Sequence, residues 1–90
     1  MMERILISDH ARFEMERRRI SEKLVREVVL SPQQILLAKK GRKVYQSKFV
    51  DPVRNKEMLL RVVAIESGND LYVVTVYKTS KAGKYWQEGR

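Results

Sequence analysis

Hydrophobic residues recur at helical spacing before Pro32 and at two-residue spacing after it, which predicts helices early in the chain and strands in the remainder. Ser8 and Asp9 are both N-cap residue types, and no Gly or Pro follows them closely, so a first helix is expected over about residues 9–18. The apolar side of this helix is thin, with Ala11 and Met15 four residues apart. The stems of neighbouring arginines are therefore expected to cover the rest of that side.

A second helix is expected to begin after a break at Ile20 and Ser21 and to continue to Leu30, where Ser31 and Pro32 stop it. Four aliphatic residues of this segment share one helical face: Leu24, Val25, Val28 and Val29. This apolar stripe assigns the second helix to the core of the domain.

Beyond Pro32 the pattern predicts strands. Residues 35–38 form a short apolar run, and residues 44–50 alternate between two sides. One side of the alternating segment has Gln46 and Lys48, and the other has Tyr45, Ser47 and Phe49. If the aromatic side faces the core, Gln46 and Lys48 lie on an open face of the sheet.

The clearest local feature is a β-hairpin formed by residues 59–66 and 71–78, with a tight turn at residues 67–70. Gly68 and Asn69 are expected to supply the positive φ angles of this turn. If Ser67 pairs with Leu71, the apolar face has three cross-strand pairs: Val62 with Val76, Ala64 with Val74, and Leu60 with Lys78. The opposite, open face then has Arg61 across from Tyr77, with Val63 beside Thr75.

These elements predict an α+β fold in which two N-terminal helices pack on one face of an antiparallel sheet of about four strands. Residues 1–90 are expected to form a single domain, with residues 79–90 as a basic, flexible tail. An uncovered sheet edge at residues 35–38 or 44–50 would allow a homodimer to form by edge pairing.

Composition narrows the functional classes. Nineteen Lys and Arg residues against eleven Asp and Glu residues give a net charge of +8, which favours a nucleic acid, an anionic surface or an acidic protein as partner. The absence of cysteine and the single histidine exclude disulfides, a thiolate nucleophile and His- or Cys-based metal clusters, so no metal or cofactor is expected. No apolar run is long enough to span a bilayer, and a cytoplasmic location without membrane contact is the expectation.

Arg61 is the sharpest functional candidate, because an arginine inside an apolar strand must point away from the core while its backbone is held rigidly. Thr75 and Tyr77 would line the same face, although both residue types are also common in ordinary strands. His10 belongs to the residue type that titrates near neutral pH, and it lies four residues before Glu14, whose carboxylate can orient the ring. The alternative interpretation of His10 is a surface or capping residue.

The segment from residue 71 to residue 87 has no carboxylate and combines lysines with aromatic rings, which suits a phosphodiester backbone. The lysines in question are Lys78, Lys81 and Lys84. They can equally form a solvated tail, and Tyr85 and Trp86 can dock on the domain as a terminal clamp.

Cation, phenol and imidazole groups suffice for metal-independent RNA cleavage, in which a base activates the 2′-hydroxyl and fixed cations stabilise the charge on phosphorus. The expected catalytic residues are His10, Arg61, Tyr77 and Lys81. The expected RNA-binding residues are Lys48, Thr75, Lys78, Lys84 and Tyr85.

Four short motifs lie at residues 8–11, 19–22, 60–63 and 74–77. Together they resemble a small bacterial and archaeal domain family of unknown function, which is similar to the BrnT and RelE/ParE toxins. The resemblance implies a compact microbial RNase toxin fold, a site on the open sheet face, and an acidic antitoxin protein as partner. By position it places the family's helix histidine at His10, its strand arginine at Arg61, and its last-strand Thr and Tyr at Thr75 and Tyr77.

Three functional readings follow. The first is a toxin that cleaves RNA, with ribosome-bound mRNA as one form of the substrate. The second is a non-catalytic module that binds an antitoxin, DNA gyrase or a nucleic acid through the same basic face, since ParE-type relatives cut nothing. The third is a nucleic-acid-binding domain without toxicity.

Overall fold

The computed structural model describes residues 4–87 and shows two helices packed on one face of a five-stranded sheet. The elements in chain order are β1 (Arg4–Ile7), α1 (Asp9–Arg18), α2 (Glu22–Leu30), β2 (Gln34–Leu37), a 3-10 turn (Lys39–Gly41), β3 (Lys43–Asp51), β4 (Lys56–Ser67), β5 (Asp70–Thr79) and α3 (Ala82–Tyr85). The strand order is β1-β5-β4-β3-β2. No helix within these residues is long and apolar enough to cross a membrane.

The α+β class is confirmed, whereas the expectation of about four antiparallel strands is wrong in two respects. The described sheet has five strands, and β1 pairs with β5 in parallel, so the sheet is mixed. The strand that the sequence did not reveal has only four residues, and its partner Asp70 lies 66 positions from Arg4. Because a parallel pair needs a crossover connection, no local turn signal marks such a strand.

Both helices form where the capping pattern predicts them. The side-chain oxygen of Ser8 accepts a hydrogen bond from Ala11 N at the start of α1, and that of Ser21 accepts one from Leu24 N at the start of α2. α1 packs against β5, while α2 packs against β3 and β4. The helix-facing core contains the residues that the spacing selected, with Ala11 and Val25 fully buried.

The register of the β4–β5 hairpin differs from the expected one near the turn, because β5 has a β-bulge at Val74. Ser67 pairs with Asp70 and Ala64 with Val73, so the predicted pairs of Ser67 with Leu71 and of Ala64 with Val74 are wrong. The turn therefore contains only two residues, and of these only Gly68 has a positive φ, 60°, so the expectation for Asn69 is also wrong. The pairing moves by one residue between Val63 and Ala64, which is the signature of an inserted residue in the partner strand.

Beyond the bulge the predicted pairing is confirmed. Arg61 lies across from Tyr77, Val62 across from Val76, and Val63 across from Thr75. The bulge is anchored by Ser8, whose hydroxyl donates to Val74 O at 3.0 Å. The start of α1 therefore helps to set which β5 side chains reach the open face.

β3 also follows its predicted alternation. Tyr45 belongs to the core under the helices and Phe49 packs against it, while Gln46 pairs in register with Arg61 on the other face. β2 forms one edge of the sheet, where Ile35 is 51% and Leu37 is 85% exposed.

Candidate functional site

Arg61 is the centre of a hydrogen-bonded group on the open face of the sheet. Its strand, β4, lies between β3 and β5, so the side chains that touch the guanidinium come from both neighbours. Arg61 Nε donates to Gln46 Oε1 at 2.9 Å, and Arg61 Nη1 donates to the Tyr77 hydroxyl oxygen at 2.5 Å. A guanidinium carries five N–H donors, and these bonds use two of them. The paired neighbours fix the orientation of the fork on a rigid backbone.

The C-terminal segment after β5 returns over this face. The Tyr85 ring, at the end of α3, lies over the Arg61 guanidinium, with 4.3 Å between Arg61 Cζ and the ring centroid. The Tyr77 and Tyr85 rings meet edge to face at 6.3 Å between centroids and 72° between planes. The arginine therefore contacts both phenol rings, with 5.7 Å between Arg61 Cζ and the Tyr77 centroid, and such contacts between a cation and aromatic rings are favourable.

An amide network fastens the segment to the sheet. Gln46 is fully buried, and its Nε2 donates to Gln34 Oε1 at 2.7 Å and to Tyr85 O at 3.3 Å. Gln34 in turn exchanges two hydrogen bonds with the backbone of Gln87, at 2.9 Å and 3.1 Å. Glutamines on the adjacent strands β2 and β3 thus form hydrogen bonds with the backbone of Tyr85 and Gln87.

A second cation lies under a second ring on the same face. Lys48 Nζ is 4.2 Å from the Trp86 ring centroid, and the ring remains half-buried. Lys84 Nζ is 5.3 Å from the Tyr85 centroid. The open face therefore alternates cations with aromatic rings, as the composition of the segment predicted.

The residues that were expected to form the site divide into two sets. The structure brings together Lys48, Arg61, Tyr77, Lys84 and Tyr85. Thr75 lies near them on the open face, half-buried and two residues from Tyr77. Lys81 is exposed at the start of α3, where its backbone N–H donates to Thr79 Oγ1 at 3.0 Å.

His10 and Lys78 lie apart from this group. His10 is exposed in the first turn of α1, in the helical layer behind the sheet. Glu14, which was expected to orient it, accepts hydrogen bonds from Arg17 and Arg18 instead, and these lower the pKa of Glu14 to about 2. His10 therefore lies on the first helix, as expected, but on the opposite side of the sheet from Arg61, so the two residues do not share a site.

Lys78 is the last but one residue of β5 and not the beginning of a tail. Its ammonium makes an ion pair with Asp51 at 2.8 Å, and the two side chains are 12% and 1% exposed. Donation by Lys78, together with the Arg54 backbone N–H, lowers the pKa of the Asp51 carboxyl in spite of its burial. In the part of the tail that the structure describes, up to Gln87, the chain is docked on the sheet; residues 88–90 lie outside the described residues.

The expected catalytic and RNA-binding residues did not include four contributors to the site: Gln34, Gln46, Trp86 and Gln87. Gln46 carried a usable signal, because the alternation of β3 put a long polar residue directly across from Arg61. Trp86 and Gln87 contribute because the chain reverses after β5 and docks on the sheet, which agrees with the terminal clamp expected as one alternative for Tyr85 and Trp86. Gln34 on β2 contributes because it bonds to the backbone of Gln87. In residues 4–87 no three His, Cys, Asp or Glu side chains are grouped in a way that could hold a metal ion.

The fold and site define an α+β domain with a cationic, aromatic open sheet face. Residues 7–78 match the family described as Domain of unknown function (DUF4258), and the chain belongs to this family. No curated protein and no solved structure matches the chain. The matched range includes Arg61 and Tyr77 but ends before Tyr85 and Trp86.

Proposed function

We propose that the open sheet face binds single-stranded RNA, with Arg61 contacting a phosphate group and the rings of Tyr85 and Trp86 serving as platforms for bases. The observation that carries this proposal is the Arg61 guanidinium, which is oriented by Gln46 and Tyr77 and stacked on Tyr85 at 4.3 Å. Guanidinium forks match phosphate oxygens, and aromatic rings beside cations bind unpaired bases without sequence preference.

The electrostatics of the whole chain support the same ligand. The net charge of +8 attracts a polyanion, and Lys48 and Lys84 add cations at the rim of the face. Single-stranded RNA fits better than a duplex, because its bases are free to stack on protein side chains. Tyr85 and Trp86 are each only half-buried, so part of each side chain is accessible to a base.

Metal-independent cleavage of the bound RNA is the second candidate function, and the hydrogen bond between Arg61 and Tyr77 favours it. Because the Tyr77 oxygen accepts from Arg61, its own proton is directed elsewhere and can be donated to a departing 5′-oxygen. Arg61 would stabilise the charge on the phosphorus oxygens. His10 lies in the helical layer, so a general base for the 2′-hydroxyl is not part of this group, and binding is therefore the primary proposal.

Fluorescence anisotropy with a labelled single-stranded RNA tests the binding proposal. The variant Arg61→Lys keeps the charge but loses the fork and the bonds to Gln46 and Tyr77, and we expect at least about tenfold weaker binding. Lys23→Ala removes one charge from the exposed side of α2 and is the matched control, with an expected change under about twofold. Unchanged binding by Arg61→Lys, or a loss no larger than that of Lys23→Ala, would refute the assigned site.

The same RNA, incubated with the protein in EDTA, tests cleavage. Cleavage through the 2′-hydroxyl produces a 2′,3′-cyclic phosphate, and a strand with 2′-deoxy positions stays intact. We expect Tyr77→Phe to reduce the rate by at least about a hundredfold while binding changes little. RNA that is bound yet remains whole would leave the non-catalytic module as the function of this face.

The resemblance to BrnT and RelE/ParE toxins extends the proposal to a toxin that is neutralised by an acidic antitoxin. Induced expression in a bacterium, followed by mapping of RNA ends, separates the readings. Arrest with new RNA ends supports the cleaving toxin, arrest without them supports a non-catalytic toxin, and normal growth supports a binding domain without toxicity.

A further inference from the structure

A second basic region lies in the helical layer, away from the Arg61 face. It is a cleft of about 450 Å³ between the end of α1, the loop after β3 and the end of β5. Its charged lining residues are Arg17, Arg18, Arg19, Asp51, Arg54 and Lys78. None of the groups proposed to bind RNA bases on the open face lines this cleft.

The cations of the cleft outnumber the carboxylates that neutralise them. Asp51 pairs with Lys78, and Glu14 pairs with both Arg17 and Arg18. Five cationic side chains and two carboxylates leave a formal surplus of three positive charges. Among the described residues, neither Arg19 nor Arg54 forms an ion pair, although the charge of Arg54 helps to lower the pKa of Asp51, and both arginines are exposed.

Hydrogen bonds within the protein hold the backbone around these two arginines. Arg19 ends α1 in the left-handed region at φ 56° and ψ 50°, with its N–H bonded to Met15 O and Glu16 O. The Asp51 carboxylate accepts from Arg54 N at 2.9 Å, which closes the loop after β3. A buried carboxylate thus closes the loop that carries Arg54.

We propose that this cleft binds the phosphate group of a small phosphorylated molecule of about nucleotide size. A phosphate carries up to two charges and three acceptor oxygens, which match several guanidinium forks better than a single carboxylate does. The hydroxyl-bearing residues Thr79 and Ser80 also line the cleft and add neutral donors. A volume of about 450 Å³ lies within the range of small-molecule sites and exceeds what a lone phosphate requires.

The experiment is a titration of the full chain with inorganic phosphate, pyrophosphate and a nucleoside 5′-monophosphate, followed by amide chemical shifts in NMR spectra. We expect the largest shifts at residues 17–19, 51–54 and 78–80, and tighter binding of the nucleotide than of inorganic phosphate. Perturbations spread over the basic surface, or centred on Arg61, would overturn the proposal. Tighter binding of a polyglutamate peptide than of the nucleotide at this cleft would overturn it in favour of an acidic protein partner.

Two variants make the test specific. Arg19→Gly removes a cation at a position where glycine relieves the left-handed backbone, so the fold is expected to tolerate it. Together with Arg54→Ala it should weaken nucleotide binding by at least about tenfold. The control removes two exposed charges elsewhere, Lys23→Ala with Lys39→Ala, and should change binding by less than about twofold; equal losses in the two double variants would refute the site.

Discussion

The ion pair between Asp51 and Lys78 allows the sharpest test of how this small domain is held together. The side chains are 1% and 12% exposed and their charged atoms are 2.8 Å apart. At an effective dielectric constant of 20, the attraction is about 6 kcal/mol before desolvation, which removes several kcal/mol per ion. The net contribution of the pair is therefore modest, whereas the loss of one partner is costly.

Asp51→Asn keeps an acceptor for Arg54 N but leaves the Lys78 ammonium nearly buried without a counter-charge. We expect a loss of about 3 kcal/mol in the free energy of unfolding, the lower end for buried pairs, because the ammonium retains some contact with water. For a domain of this size this lowers the Tm by roughly 12–24 °C. Lys78→Met should cost a similar amount, since Asp51 then becomes a buried, unpaired carboxylate.

The assay is a double-mutant cycle by urea denaturation at pH 7. We expect a coupling energy of about 2 kcal/mol, with the double variant losing less than the sum of the single variants. The control cycle uses Glu22 and Arg26, whose side chains are 38% and 44% exposed, and should give under about 0.5 kcal/mol. A coupling energy for Asp51 and Lys78 no larger than that of the control would refute the reasoning.

Further predictions concern pH, the bulge, the helix end and the sheet edge. Because the pKa of Asp51 is lowered in the folded state, the Asp51 carboxylate contributes fully to the free energy of unfolding above about pH 4, and this contribution is lost as the pH falls through the folded pKa. In urea denaturation at several pH values, Asp51→Asn should therefore show a smaller loss of stability toward acid pH than the unaltered protein. Ser8→Ala removes both the helix cap and the hydrogen bond to the bulge, and in urea denaturation it should lower the free energy of unfolding by about 2 kcal/mol. Ser21→Ala removes only a helix cap and should lower it by about 1 kcal/mol. Equal losses would contradict a role of Ser8 at the bulge. Arg19→Gly should raise stability by about 0.5–1 kcal/mol in the same assay, and any loss would count against strain at this residue. If the exposed β2 edge forms a homodimer, Leu37→Lys should convert it to monomer in light scattering, and an unchanged mass would exclude this edge.

Local sequence patterns were enough for the helices and for most of the strand pairing. Ser8 and Ser21 each supply an oxygen for the first turn of a helix, and this chemistry depends only on nearby residues. The Arg61 and Tyr77 pair was predictable for a related reason, since alternation along two adjacent strands decides which side chains share a face. The grouping of Lys48, Arg61 and Tyr77 on one face of β3, β4 and β5 therefore followed from the sequence, whereas Gln46 was not among the expected site residues.

The tertiary structure decided what depends on distant partners. β1 pairs with β5, which lies 66 positions away, and the Ser8 hydroxyl at the start of α1 donates a hydrogen bond to Val74 O at the bulge. Two expected site residues lie outside the site because of their tertiary surroundings: His10 is in the helical layer, and Lys78 makes an ion pair with Asp51. The return of Tyr85 over Arg61 depends on hydrogen bonds from two glutamines to backbone that is far away in sequence, and such contacts exist only once the sheet has formed.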